Sequence, residues 1–105
     1  MRRRTLIIAD AAKADLDGIY DHIAADNEAS ADQFIKRFVA KLKKLATIGF
    51  TGAPRDFIRP GLRSYPYGSY CAYFRIDDKH FKVARIVHSA RDIDAIAFDP
   101  SEPSE

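Results

Sequence analysis

Residues 62–89 read LRSYPYGSYCAYFRIDDKHFKVARIVHS, and this stretch decides the fold. It holds three runs rich in Tyr, Phe, Val and Ile, at residues 62–66, 70–76 and 81–89. Such residues suit a pleated, half-buried surface. Tyr67-Gly68-Ser69 separates the first two runs and Asp77-Asp78-Lys79-His80 the last two. Short connections carrying Gly or Asp are hairpin connections, so the stretch predicts a three-stranded antiparallel meander. The last run, FKVARIVHS, lacks clean alternation. That is the pattern of a central strand with both faces covered.

Upstream the period changes. Residues 3–9, RRTLIIA, form a short aliphatic run closed by Asp10, which predicts a first strand followed by a helix with Asp10 as its N-cap. Ala12, Leu16, Ile19, Tyr20 and Ile23 then fall on one helical face, with Asp15, Asp17 and Asp21 off it. Asp26-Asn27 is a turn-forming pair. From Glu28 to Ile48, Phe34, Phe38, Leu42 and Leu45 recur at spacings of four, four and three, widened by Ile35 and Val39. Lys36, Arg37, Lys41, Lys43 and Lys44 occupy the opposite face, and Gly49 is placed as a C-terminal cap. Two helices joined this closely pair as an antiparallel hairpin. Residues 49–61, with three glycines and two prolines, read as loop throughout. The expected class is α+β, in the order β-α-α-β-β-β.

The chain has 105 residues, enough for one core and short for two domains. The expected domain is residues 1–98, with 99–105 (DPSEPSE) a disordered acidic tail. That tail carries three acids, two prolines and no large apolar group to offset the entropy of ordering. Net charge is +2 over the whole sequence and +5 without those seven residues. This balance does not by itself announce nucleic acid. The single cysteine, Cys71, excludes an internal disulfide and a cysteine-based zinc site. The N-terminal MRRRTLIIADAA is interrupted by Asp10, Lys13 and Asp15, and no apolar run approaches membrane-spanning length. The reading is a cytoplasmic protein with no membrane partner.

Most enzyme signatures are missing: no Gly-rich phosphate loop, no HExxH, no GxSxG. What stands out is arginine. Six of ten lie in residues 55–91: Arg55, Arg59, Arg63, Arg75, Arg85 and Arg91. The guanidinium fork suits carboxylate or phosphate, so the functional reading is a surface for a polyanion or an acidic partner. The structural reading is arginines paired with neighbours on a half-exposed sheet. The run RIVHSARD, residues 85–92, is the densest polar cluster. There His88 is a candidate acid or base flanked by Arg85 and Arg91. Equally, it is a strand end closed by Arg91 and Asp92. Tyr65, Tyr67 and Tyr70 beside arginine could stack bases, or simply pair across strands. His80 with Asp77 and Asp78 matches no metal-ligand spacing, and those acids are expected in a turn. No metal or cofactor is expected.

Three separated blocks then gain meaning together: AAKADLDGIYDHIAADN at residues 11–27, GLRSYPYGSYCAYFRI at 61–76 and ARIVHSARD at 84–92. Within them, ADLxxIxxxI, PGLRS and RIxHxxRD occur in order and resemble the ParE toxins of the RelE/ParE superfamily, over about residues 6–92. The resemblance implies a helical hairpin packed on a small antiparallel sheet, with the N-terminal strand joining as an edge. It further implies a toxin of a type II toxin–antitoxin module, of the kind tied to plasmid stabilisation, held in a hetero-oligomer by a cognate antitoxin. ParE members inhibit DNA gyrase, whereas the RelE branch cleaves messenger RNA on the ribosome. A RelE-type site would draw on Arg63, Arg85, His88 and Arg91. RelE-type proteins usually finish with a tyrosine near the C-terminus, and this chain has none after Tyr73. That favours the gyrase-inhibiting branch, a toxin acting by binding rather than as an enzyme. Its target-binding candidates are Arg63, Arg85, Arg91, Asp92, Ile93 and Phe98. A third possibility is a module that only binds its antitoxin.

Overall fold

The computed structural model describes residues 3–89. Arg91, Asp92, Ile93, Phe98 and the acidic segment 99–105 lie outside the described residues. The chain runs β1 (Thr5–Ile8), α1 (Asp10–Ala24), α2 (Glu28–Thr47), β2 (Ala53–Pro54), β3 (Arg63–Tyr67), β4 (Tyr70–Ile76) and β5 (His80–His88). The strands form one sheet in the order β1-β5-β4-β3-β2. β3, β4 and β5 are the expected antiparallel meander. β1 joins at the edge, parallel to β5, with Thr5 opposite His80 and Ile8 opposite Val83. The fold is the α+β arrangement read from the sequence.

Three local expectations need correction. The loop 49–61 contains β2, whose Ala53 and Pro54 pair with Ser64 and Arg63. A proline there is tolerated because the strand is an edge. Asp10 is not the N-cap of α1: that position is Ala9, without a side-chain cap, and Asp10 sits in the first turn. There its charge still complements the positive end of the helix dipole. Finally, the broken alternation of β5 has a cause besides coverage on both faces. Tyr73 opposes Arg85 while Phe74 opposes Val83, which leaves Ala84 as the extra residue of a β-bulge.

That bulge divides the core. Phe81, Val83 and Ile86 face the helices and pack with Phe38, Leu42, Leu45, Ala72 and Phe74. Ala84 and Val87 face the other side, where they meet Ile58, Leu62 and Tyr73. Phe38, Phe74 and Phe81 are fully buried. Phe38 stacks on Tyr67 at 4.5 Å between centroids, joining α2 to β3.

Both ends of α2 are closed by identifiable groups. Asn27 Oδ1 accepts from the Ser30 amide at 3.0 Å. Asn27→Ala should therefore cost about 1 kcal/mol, read as a shift of the urea midpoint. At the other end Gly49 takes φ 74°. Phe50 N donates to Leu45 O at 3.0 Å and Gly49 N to Ala46 O at 3.4 Å, the double closure of a Schellman motif. Among the described residues no helix is long and apolar enough to cross a membrane.

Candidate functional site

The arginines of the 55–91 stretch are drawn to different places. Four serve the connection before β3. Arg63 Nε donates to the Thr51 carbonyl. Arg55 Nη1 donates to Pro54 O at 2.9 Å and Arg59 Nη1 to Ile58 O at 2.7 Å. Arg75 Nε reaches Pro60 O at 3.3 Å. Backbone carbonyls on and around the short β2 segment are thereby satisfied. The same segment holds Phe57, 81% exposed, with the Arg55 guanidinium 5.9 Å from its ring centroid.

Arg85 is committed elsewhere. Its Nε and Nη2 donate to the two carboxylate oxygens of Asp15 at 2.7 and 2.9 Å. Asp15 Oδ2 also accepts the Ile86 amide at 2.9 Å. Both side chains are largely buried, at 17% and 13% exposure. Hydrogen bonding to the Asp15 carboxylate, ahead of a smaller opposing effect of burial, raises the Arg85 pKa further, so the guanidinium stays charged. The geometry follows from the fold. β1 ends at Ile8, opposite Val83, so among the described residues no strand pairs with the rest of β5 on that side. Asp15, on the α1 turn above, closes part of this bare edge by taking an amide that a partner strand would otherwise bind.

Beyond Asp15 the same edge opens into a cleft of about 270 Å³ between α1 and the end of β5. Asp15, Gly18, His22, Tyr70, Ile86 and His88 are among its lining residues. His88 is exposed, and its ring lies edge-on to Tyr70 at 5.5 Å. Of the residues expected to share a site, Arg85 and His88 stand on β5 three positions apart. Arg63 lies on β3, two strands away, and is tied towards β2. Two inter-strand spacings are roughly 10 Å, so these three do not converge on one phosphate-sized point. Arg91, Asp92, Ile93 and Phe98 fall outside the described residues. Sequence reading missed Asp15 and His22 as lining residues. Their only signal was a polar position at each end of a two-turn interval on α1, flanking the apolar stripe.

The other suggestions resolve locally. Asp77 Oδ1 accepts the amides of Lys79 and His80, each at 2.8 Å, and approaches His80 Nδ1 at 3.2 Å. These backbone bonds hold the Asp77 carboxyl below its usual range, as an aspartate organising a hairpin turn does. Among the described residues no three His, Cys, Asp or Glu side chains gather as a metal site. Tyr65 packs edge-on to Phe50, and Tyr67 and Tyr70 pack against Phe34. Burial, then the neighbouring Cys71, pushes the Tyr73 hydroxyl up to about 12.

A sequence profile described as ParE toxin of type II toxin-antitoxin system, parDE, matches residues 6–93. The chain belongs to the ParE toxin family. It is similar to a chain of the chromosomal ParDE toxin–antitoxin system of P. aeruginosa, at 30% identity and TM-score 0.67, over 81% of this chain and 95% of that one. It also shares its fold with a chain of the RelBE2 toxin–antitoxin complex of Mycobacterium tuberculosis, at 23% identity and TM-score 0.54, over 87% and 97%. No curated protein matches the sequence. As a ParE-family member the protein is a toxin of the type II class, and the helical hairpin and the edge position of β1 are those the resemblance implied.

Proposed function

We propose that this ParE-family toxin acts in the cytoplasm by binding DNA gyrase, and that a cognate antitoxin neutralises it in a hetero-oligomer. The observation that carries the choice of binding over cleavage is the dispersal of the cations. A ribonuclease needs positive groups and an acid–base pair gathered on one phosphate. Here Arg85 is spent on Asp15 and Arg63 on the Thr51 carbonyl. A toxin that works by contact needs only a surface. Our candidate surface is Arg63, Arg85, Arg91, Asp92, Ile93 and Phe98, of which Arg63 and Arg85 contribute as positive charges while keeping their bonds to the Thr51 carbonyl and Asp15. The antitoxin reading is supported by the ParDE likeness at 30% identity. It is also supported by the bare edge of β5 beside an open cleft, which suits a partner strand or helix.

The test is a supercoiling and cleavage assay with purified gyrase, relaxed plasmid, ATP and the toxin freed of antitoxin. The expected result is loss of supercoiling with accumulation of cleaved DNA. Joint substitution Arg91→Ala and Phe98→Ala should weaken inhibition by about tenfold or more, which is 1.4 kcal/mol of binding, with the circular dichroism spectrum unchanged. Undiminished supercoiling at toxin excess would overturn the gyrase reading. Ribosome-dependent mRNA cleavage that stops on His88→Gln would replace it with the nuclease one.

A further inference from the structure

We propose that the basic face of α2, with the adjoining open edge of β3, is a docking surface for the phosphate backbone of duplex DNA. This surface is separate from the target-binding residues above and does not depend on the identity of the toxin's target. Arg37, Lys41, Lys44, Tyr65 and Tyr67 line a shallow, open groove between α2 and β3, with Ala40 as the remaining lining residue. No acid contributes to it. Lys36 and Lys43 flank it, both exposed. At 3.6 residues per turn the five cations fall within an arc of about 160°. Among the described residues none of the five makes a salt bridge or a side-chain hydrogen bond. The helix dipole accounts for Lys44 in the last turn but not for the cations further back. Its influence fades beyond the last turn, and Arg37 and Lys41 lie ten and six residues before the helix end at Thr47.

The occupant follows from what the groove refuses. β2 pairs only with Arg63 and Ser64, so among the described residues the edge of β3 has no partner from Tyr65 onward. Tyr67 and Tyr70 close the β3–β4 hairpin, and hydrogen-bonding direction alternates along an antiparallel ladder. Residue 66 therefore faces the bare side, and it is a proline with no amide to donate. An added polypeptide strand would find its donor missing. Bases of a single strand would find a crowded platform: one face of Tyr67 is stacked on Phe38 at 4.5 Å, and Tyr65 packs edge-on to Phe50. What remains on offer is unpaired positive charge over a rigid helix. Arg37 to Lys44 spans roughly 10 Å of helix axis, the rise of about three base-pair steps along the duplex axis. Cations held in this way grip a duplex backbone without reading its sequence.

The experiment is fluorescence anisotropy with a labelled duplex of about 20 base pairs, titrated with the full-length protein at several salt concentrations. Wild type should bind with a log-log salt slope of about −3, the value for three neutralised phosphates. The triple variant Arg37→Gln, Lys41→Gln, Lys44→Gln keeps good helix formers at exposed positions. It should retain its circular dichroism spectrum, lose most of the salt slope and bind at least about tenfold more weakly at low salt. Single-stranded RNA of the same length and a glutamate-rich helical peptide serve as the other arms, and both should bind more weakly than the duplex. The proposal is overturned by absence of duplex binding at low salt, by binding that the triple variant leaves intact, or by tighter binding of the RNA or of the peptide.

Discussion

Asp15→Ala should destabilise the protein by about 3 kcal/mol, because it strands a nearly buried guanidinium and a strand amide together. The carboxylate takes three hydrogen bonds, two from Arg85 and one from the Ile86 amide, all between 2.7 and 2.9 Å. Breaking a fully buried ion pair costs about 3–5 kcal/mol, and the residual exposure of both partners places this pair at the lower end. Arg85→Met strands the Asp15 carboxylate in turn, but that carboxylate keeps its hydrogen bond from the Ile86 amide and the apolar stem is retained, so it should cost somewhat less, about 2 kcal/mol. Asp15→Asn keeps an acceptor for Ile86 and should fall between them. The order Ala, then Asn, then Arg85→Met, measured by urea unfolding with constant m-value, is the expected outcome. Equal midpoints for Asp15→Ala and wild type would show that the clasp carries no stability. The substitution has a second consequence: with Asp15 gone, Arg85 is released beside the cleft that contains His88.

How much of this was legible beforehand depends on the range of each contact. The α2 stripe of Phe34, Phe38, Leu42 and Leu45 was readable because a helix repeats its burial locally, and three of the four are buried in the core. The hairpin at Gly68-Ser69 was readable because a tight turn has its own chemistry. β2 was not. Two residues containing a proline carry no strand signal, and they pair only because Ser64 and Arg63 lie beside them. The bulge at Ala84 was visible only as a failure of alternation, which coverage of both faces explains as well. The candidate site was the least legible part. Arg85 and Asp15 are 70 residues apart, and no local pattern says that an arginine in a strand is already engaged by an acid in a helix. The sequence showed a cluster of arginines, and three-dimensional pairing dispersed it.

Phe74→Ala should be the most destabilising single change, at about 4 kcal/mol. Phe74 is fully buried and stacks on Phe81 with 4.1 Å between centroids, so truncation loses both transfer energy and an aromatic contact and leaves a cavity. The same ring explains a glycine. Gly52 has φ 65°, and a Cβ there would stand 2.7 Å from Phe74 Cζ and 2.8 Å from the Ser64 carbonyl oxygen. Gly52→Ala therefore combines left-handed backbone strain of about 1–2 kcal/mol with an overlap that must push something aside. The two neighbours differ in how they can yield. The ring is a side chain and can be shortened; the Ser64 carbonyl belongs to the β3 backbone at the β2 pairing. Combining Gly52→Ala with Phe74→Leu should thus recover part of the loss, with a favourable coupling of about 1 kcal/mol in a double-mutant cycle, and leave the remainder in place. Strict additivity would mean that the chain around Gly52 moves away from the core at no cost. Complete recovery would mean that neither the positive φ nor the Ser64 contact matters. Partial recovery is what a glycine wedged between a core ring and a strand backbone requires.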